Sequence, residues 1–242
     1  MAGHSRWAQI RHKKAGSDAK RGALFSKLAR VIAVASREGG ADPRANPKLR
    51  SAIEQARDAG LPKENIERAI ARGGGGAEGE NLRPLEYEAY GPGGIAILMS
   101  ALSDNPNRTT GELKRILADG GGRMAEAGSV GWMFERRIAV DFVRPAADPE
   151  DAELALIDAG AEDTGLLEDR IRALVIPERQ DAFLQSANGR GLTPLASSLV
   201  LIPKNPIALG LAERQDADSL TAALGEHPDV IDVWTNLAEE RV

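Results

Sequence analysis

Residues 2–16 show no clean apolar period and read as an extended arm; from Ser17 to about position 70 apolar residues keep a helical spacing, and then they switch to alternation and short blocks. Leu24, Phe25, Leu28, Val31, Ile32 and Ala35 recur at i, i+4, i+7 and i+8, one stripe of a helix that starts near Ser17. At about 100° per residue, Lys27, Arg30 and Arg37 fall on the opposite side of that wheel, with Lys20 at its edge. Gly39-Gly40 stops the helix. Asn46-Pro47 then supplies an N-cap and a first-turn proline for a second helix with Leu49, Ala52, Ile53 and Ala56 inward and Gly60 beyond its end. Pro62 opens a third helix, with Ile66, Ala69 and Ile70 inward, ended by Gly73. These helices predict a small bundle, and residues 73–80 (GGGGAEGE) predict a linker.

Beyond the linker, residues 86–90 and 95–103 read as strands around the turn 91–94 (GPGG), followed by a helix over 107–119 capped by Asn107 and a short strand at 123–125. Residues 138–143, 162–166, 171–176 and 195–202 read as strands. Helices opened by Asp148-Pro149 and by Pro177 sit between them, giving the order βαββαβ of a ferredoxin-like split motif. Removing that block joins β(95–103) α(107–119) β(123–125) to β(206–209) α(216–225) β(230–235), a second such unit interrupted by the first. The predicted class is α+β: a basic arm plus three-helix bundle (1–76), a split α/β domain (81–134 and 204–242) and an inserted ferredoxin-like α/β domain (135–203).

Charge sharpens this picture. Arg6, Arg11, Lys13, Lys14, Lys20, Arg21, Lys27 and Arg30 stand against Asp18 alone in the first thirty residues. Residues 1–72 hold sixteen basic and seven acidic side chains in a chain of net charge −5. Packing does not call for clustered like charge, whereas a polyanion-binding surface does, and these eight cations are the expected nucleic-acid contacts. Trp7 and the histidines His4 and His12 are interleaved with them; Trp7 is expected to anchor the arm on the bundle. The absence of cysteine excludes disulfides, thiolate catalysis and iron–sulfur clusters. No apolar run has the length of a membrane span and no signal-peptide pattern follows the basic start, so the chain reads as cytoplasmic, with no membrane partner.

Catalytic patterns are missing. The three histidines (His4, His12, His227) are scattered, and no nucleophile–base or HExxH arrangement occurs. GPGG lacks the lysine and helix of a phosphate loop and reads as a tight turn. The acids Asp148, Glu150, Asp151 and Glu153 read as helix-start residues and not as a metal site. The expectation is a non-enzyme with no cofactor, no metal and no evident small-molecule substrate. Arg108 stands at the positive end of a helix dipole, which calls for an anionic partner inside the chain or outside it. The glycine-rich stretch 120–131 around Arg123 and Met124 reads either as a plain connection or as a protruding loop. Arg108, Arg123, Met124, Ser129 and Trp132 are the residues it would offer a partner.

The segments AGHSRWAQIRHKKAGSDAKRG, NPKLRSAIEQAR, LPKENIERAIARG, YGPGG, DNPNRT, GSVGWMF and PDVIDVWTN, in order along the chain, resemble the YebC/PmpR family, which includes the mitochondrial translational activator of cytochrome oxidase. Gln9, Arg6, Arg11 and Trp234 are small departures from its pattern. The resemblance implies a helical amino-terminal domain with two α/β domains and no catalytic residue. It implies a nucleic-acid-binding regulator of gene expression, either a DNA-binding transcriptional regulatory protein or a ribosome-associated translation factor on ribosomal RNA or tRNA. In the second case residues 128–134 would reach the RNA. An interaction scaffold without nucleic acid is the third class, and it would leave the cationic arm idle or bound to acidic protein.

Overall fold

The computed structural model of the chain describes residues 18–74, 82–144, 149–167 and 169–238. The fold is α+β: three amino-terminal helices followed by two four-stranded sheets with helices. Among the described residues, 135–202 form one compact unit, and 18–134 with 203–238 form the other.

In the larger unit, α1 (Asp18–Gly39), α2 (Pro47–Asp58) and α3 (Lys63–Gly74) enclose Ile32, Ala35, Leu49, Ala52, Ile53, Ala56, Ile66 and Ala69, matching the predicted stripes. Asn46 caps α2 as its position predicts and uses its whole amide. Its Oδ1 accepts from the Leu49 N–H at 3.1 Å, and its Nδ2 donates to the carbonyls of Ala35 and Gly40, each at 2.8 Å. One residue thereby closes the α1–α2 turn and starts α2. Gly73 lets α3 lie close on α1, since a Cβ there would stand 2.2 Å from the Ala33 carbonyl oxygen. The predicted linker falls partly in α3, and its residues 75–80 lie outside the described ones.

The sheet of this unit has the order β3-β1-β2-β8, built from β1 (Arg83–Tyr90), β2 (Ala96–Ser103), β3 (Arg123–Met124) and β8 (Val230–Thr235). The helices α4 (Pro106–Asp119) and α7 (Leu211–Glu226) cover one face, over Ala89, Ile97, Met99, Leu113, Leu117, Leu220 and Leu224. Two predicted details change. Residues 206–209 make only a single parallel bridge, Ile207 to Leu237. The inner position they were expected to fill is taken by β1, paired antiparallel with both β2 and β3. The split unit is therefore a permuted ferredoxin-like sheet whose third strand comes first in sequence. The N-cap of α4 is Asn105, not Asn107: its side chain accepts from the Arg108 N–H at 3.2 Å and Pro106 opens the helix. This is the same Asn-Pro start that begins α2.

The smaller unit contains β4 (Phe134–Val143), α5 (Pro149–Ala159), β5 (Asp163–Leu166), β6 (Arg170–Val175), α6 (Gln180–Gly189) and β7 (Pro194–Pro203), in sheet order β5-β6-β4-β7. That is the predicted split motif. Its core packs Val140, Phe142, Leu156, Ile171 and Phe183, with the Phe142 and Phe183 rings edge-on at 5.9 Å. Asp148, expected to cap α5, lies outside the described residues.

Candidate nucleic-acid interface

The cationic face of α1 is where sequence and structure part company. Arg6, Arg11, Lys13, Lys14, Trp7, His4 and His12 lie outside the described residues, as does the side chain of Lys20. Arg21 is exposed on the first turns of α1. Lys27 and Arg30, expected to contact phosphate, are instead turned onto the chain itself. Lys27 Nζ donates to the Gly225 carbonyl at 2.6 Å. Arg30 donates to the carbonyls of Pro228 (2.9 Å) and Leu102 (2.5 Å) and to Asp229 (3.0 Å). Arg37 donates to the Leu82 carbonyl at 2.5 Å. The reason is apolar: Val34 lies on the same side of α1 and packs with Leu82 and Leu102 on the sheet face opposite α4 and α7. The wheel placed these cations correctly but could not show a second packing surface behind them. Burial lowers the Lys27 pKa, opposed by the nearby Asp232 carboxylate.

Asp229 organises the contact. Its carboxylate accepts from Thr109 Oγ1 at 2.6 Å, Arg108 at 2.9 Å and Arg30 at 3.0 Å. Burial alone would raise its pKa; the hydrogen bonds from Thr109, Arg108 and Arg30 outweigh that and hold it at about 2. The anionic partner that Arg108 requires at the helix start is thus Asp229, with Asp104 at 3.0 Å beside it. Arg108 thus has an anionic partner inside the chain, one of the two alternatives its position allows. His227 accepts the Asp229 N–H at Nδ1 (3.1 Å), which leaves the proton of the neutral ring on Nε2, facing Glu112 at 2.9 Å. Arg30, Asp104, Arg108, Glu112, Pro228 and Asp229 line a shallow pocket of about 400 Å³.

The glycine-rich loop is held by a residue that the sequence reading passed over. The Glu88 carboxylate, on the sheet face opposite α4 and α7, accepts backbone N–H bonds from Gly128 (2.7 Å), Val130 (2.5 Å) and Gly131 (3.1 Å). Burial would raise the Glu88 pKa, but hydrogen bonds from Val130, Gly128, Gly131 and Ser129 prevail and lower it. Gly128 sits at φ 86°, the left-handed region the turn needs in order to aim its N–H inward. Above this anchor the Ser129 carbonyl accepts from both Tyr90 Oη (3.2 Å) and Trp132 Nε1 (2.9 Å). Trp132 is 61% exposed. Arg123 lies over the Tyr90 ring at 4.9 Å. Met124 faces the other way, partly buried against the core beneath α4 and α7. A lone Glu in LEYEAY carries no local sign that it will hold a loop 40 residues on.

A helical bundle packed on a permuted ferredoxin-like sheet, with a second such unit inserted in the chain at residues 135–202, defines a multidomain α+β protein. The chain belongs to the TACO1/YebC family. The model of its N-terminal domain matches residues 5–76, and that of its second and third domain matches residues 82–237. Similar chains include a "probable transcriptional regulatory protein" of Carboxydothermus hydrogenoformans, 41% identical over 239 residues and covering 98% of each chain. Another of the same description, from Pseudothermotoga lettingae, is 42% identical over 237 residues, 98% of this chain and 93% of that one. The crystal structure of a conserved hypothetical protein from Aquifex aeolicus superposes with a TM-score of 0.83 at 39% identity, covering 96% of both chains. No described helix is long and apolar enough to cross a membrane.

Proposed function

We propose that this protein is a non-enzymatic, nucleic-acid-binding regulator of gene expression, acting as a DNA-binding transcriptional regulatory protein. The observation that carries the reading is the near-full-length similarity to relatives described as transcriptional regulators. The concentration of cations at the start of an otherwise acidic chain supports it. With Lys27 and Arg30 bonded within the chain, the phosphate contacts are expected first from Arg6, Arg11, Lys13, Lys14 and Lys20. Such cations fix a backbone and do not read bases. The non-enzymatic reading is supported by the same relatives, described as regulatory proteins.

Binding at graded salt tests this. Neutralising Lys13, Lys14 and Lys20 together should lower the slope of log affinity against log salt by roughly 0.7–0.9 per lost phosphate contact. An unchanged slope and affinity would remove the arm from the interface. A specific-to-random duplex ratio of about 10³ or more marks an operator binder. Equal affinity for all duplexes with tighter binding to ribosomal RNA would replace the transcriptional reading by the translational one.

A further inference from the structure

Resting on that nucleic-acid reading, we propose that Trp132, Tyr90, Arg123 and Lys204 form a stacking site for an unpaired base of a single-stranded nucleic acid. The indole is exposed, yet it is not loose. Its only polar atom is satisfied by Ser129 of its own loop, and that loop is fixed by three N–H bonds to Glu88. What remains for a partner is a flat π face that needs no further hydrogen bond, and every nucleobase has a matching one.

The charges beside the indole suit the same ligand. Arg123 stands on Tyr90, whose hydroxyl shares the Ser129 carbonyl with Trp132. The exposed Lys204 adjoins the loop, its backbone N–H bonded to the Met133 carbonyl at 2.9 Å. Two cation-bearing positions thus adjoin the loop that presents the indole, and cations beside an aromatic face are what tracks a phosphate backbone while a base stacks. The Glu88 carboxylate beneath the loop is turned onto backbone N–H groups.

The position in the fold adds to this. Glu88 pairs with Leu98 across β1 and β2, and Gly131 sits over Leu98. Leu102, four residues along β2 on the same face, carries α1 through Val34. The platform and the cation-bearing helix therefore share one face of one sheet, anchored roughly 13 Å apart by strand geometry.

The test uses the full chain with Trp7→Phe and Trp234→Phe, which leaves Trp132 as the sole tryptophan. The probe is an oligoadenylate of about twelve nucleotides, within the usual span of single-strand sites, offered alone and as a duplex with its complement. The expected result is quenching of Trp132 emission by the single strand and not by the duplex. In the otherwise native chain, Trp132→Ala should weaken single-strand binding by roughly tenfold or more and Trp132→Phe by much less. Glu88→Gln, which leaves the indole but loosens its anchor, should fall between them. Single-strand binding with unchanged emission and an unaffected Trp132→Ala variant overturns the stacking site while leaving the arm reading intact. An equal response to duplex overturns the unpaired base. If the intact protein binds neither form even at low salt, the arm reading falls and the stacking site with it.

Discussion

The guanidinium of Arg30 meets the carboxylate of Asp229 at 3.0 Å, joining residues 199 positions apart with side chains only 16% and 4% exposed. Arg108 and Thr109 complete the set from the start of α4. One carboxylate thus fastens the amino-terminal helix, a helix of the split domain and the turn before β8 to each other. Asp229→Asn keeps the shape and removes the charge, leaving two guanidinium groups without their shared anion. The expected loss is about 2–3 kcal/mol of unfolding free energy, measured by urea denaturation at neutral pH. An unchanged midpoint would mean that the carboxylate fastens nothing.

Acid should act on the same residue. The Asp229 pKa is depressed in the folded state to about 2 from the ordinary 3.8. Its stabilisation is therefore fully present above the unfolded value and is lost as pH falls from there through about 2. The amount is about 2 kcal/mol, from the standard conversion of a pKa difference. Glu88, also depressed, adds a loss of the same sign. In unfolding titrations between pH 5 and pH 2, the stability gap between the native chain and Asp229→Asn should narrow as pH falls; a constant gap contradicts the assignment.

Gly73→Ala ought to help an exposed helix by up to about 1 kcal/mol on propensity alone. Here the added methyl meets the Ala33 carbonyl oxygen at 2.2 Å and the Ser36 Cβ at 2.7 Å, so α3 must move off α1. The net change should be destabilising by about 1–3 kcal/mol, read as a lowered thermal midpoint.

Lys27→Met should leave the salt dependence of nucleic-acid binding unchanged. The Lys27 ammonium is bonded to the Gly225 carbonyl within the chain and contributes no displaced counterion. The same variant measured by denaturation should lose about 1 kcal/mol for the missing hydrogen bond. A reduced salt slope would return Lys27 to the interface.

Local chemistry was legible where one residue settled the outcome. Asn46-Pro47, the glycine stops and the alternation from 138 to 202 carried the bundle and the inserted motif into the predicted class. The identical Asn105-Pro106 start was passed over because Asn107 offered a competing cap two residues later. Strand partners were harder. Nothing in residues 83–90 says that they take the inner position assigned to 206–209, because that choice depends on which strand reaches the sheet with an apolar face to bury. The site divided the same way. Trp132 and Arg123 stood out as exposed types in a glycine-rich loop, while the partners of Lys27 and Arg30 and the clamp of Glu88 arise from contacts 40 to 199 positions away.

The bond from the Lys204 N–H to the Met133 carbonyl has one more consequence. Met133 and Lys204 both belong to the larger unit and flank the stretch 135–202 in the chain, so that unit is closed on itself at the insertion by a backbone bond. A host of that kind can be circularised around its guest. Joining Phe134 to Pro203 through a short glycine turn would bypass residues 135–202 without touching any residue of the β3-β1-β2-β8 pairings.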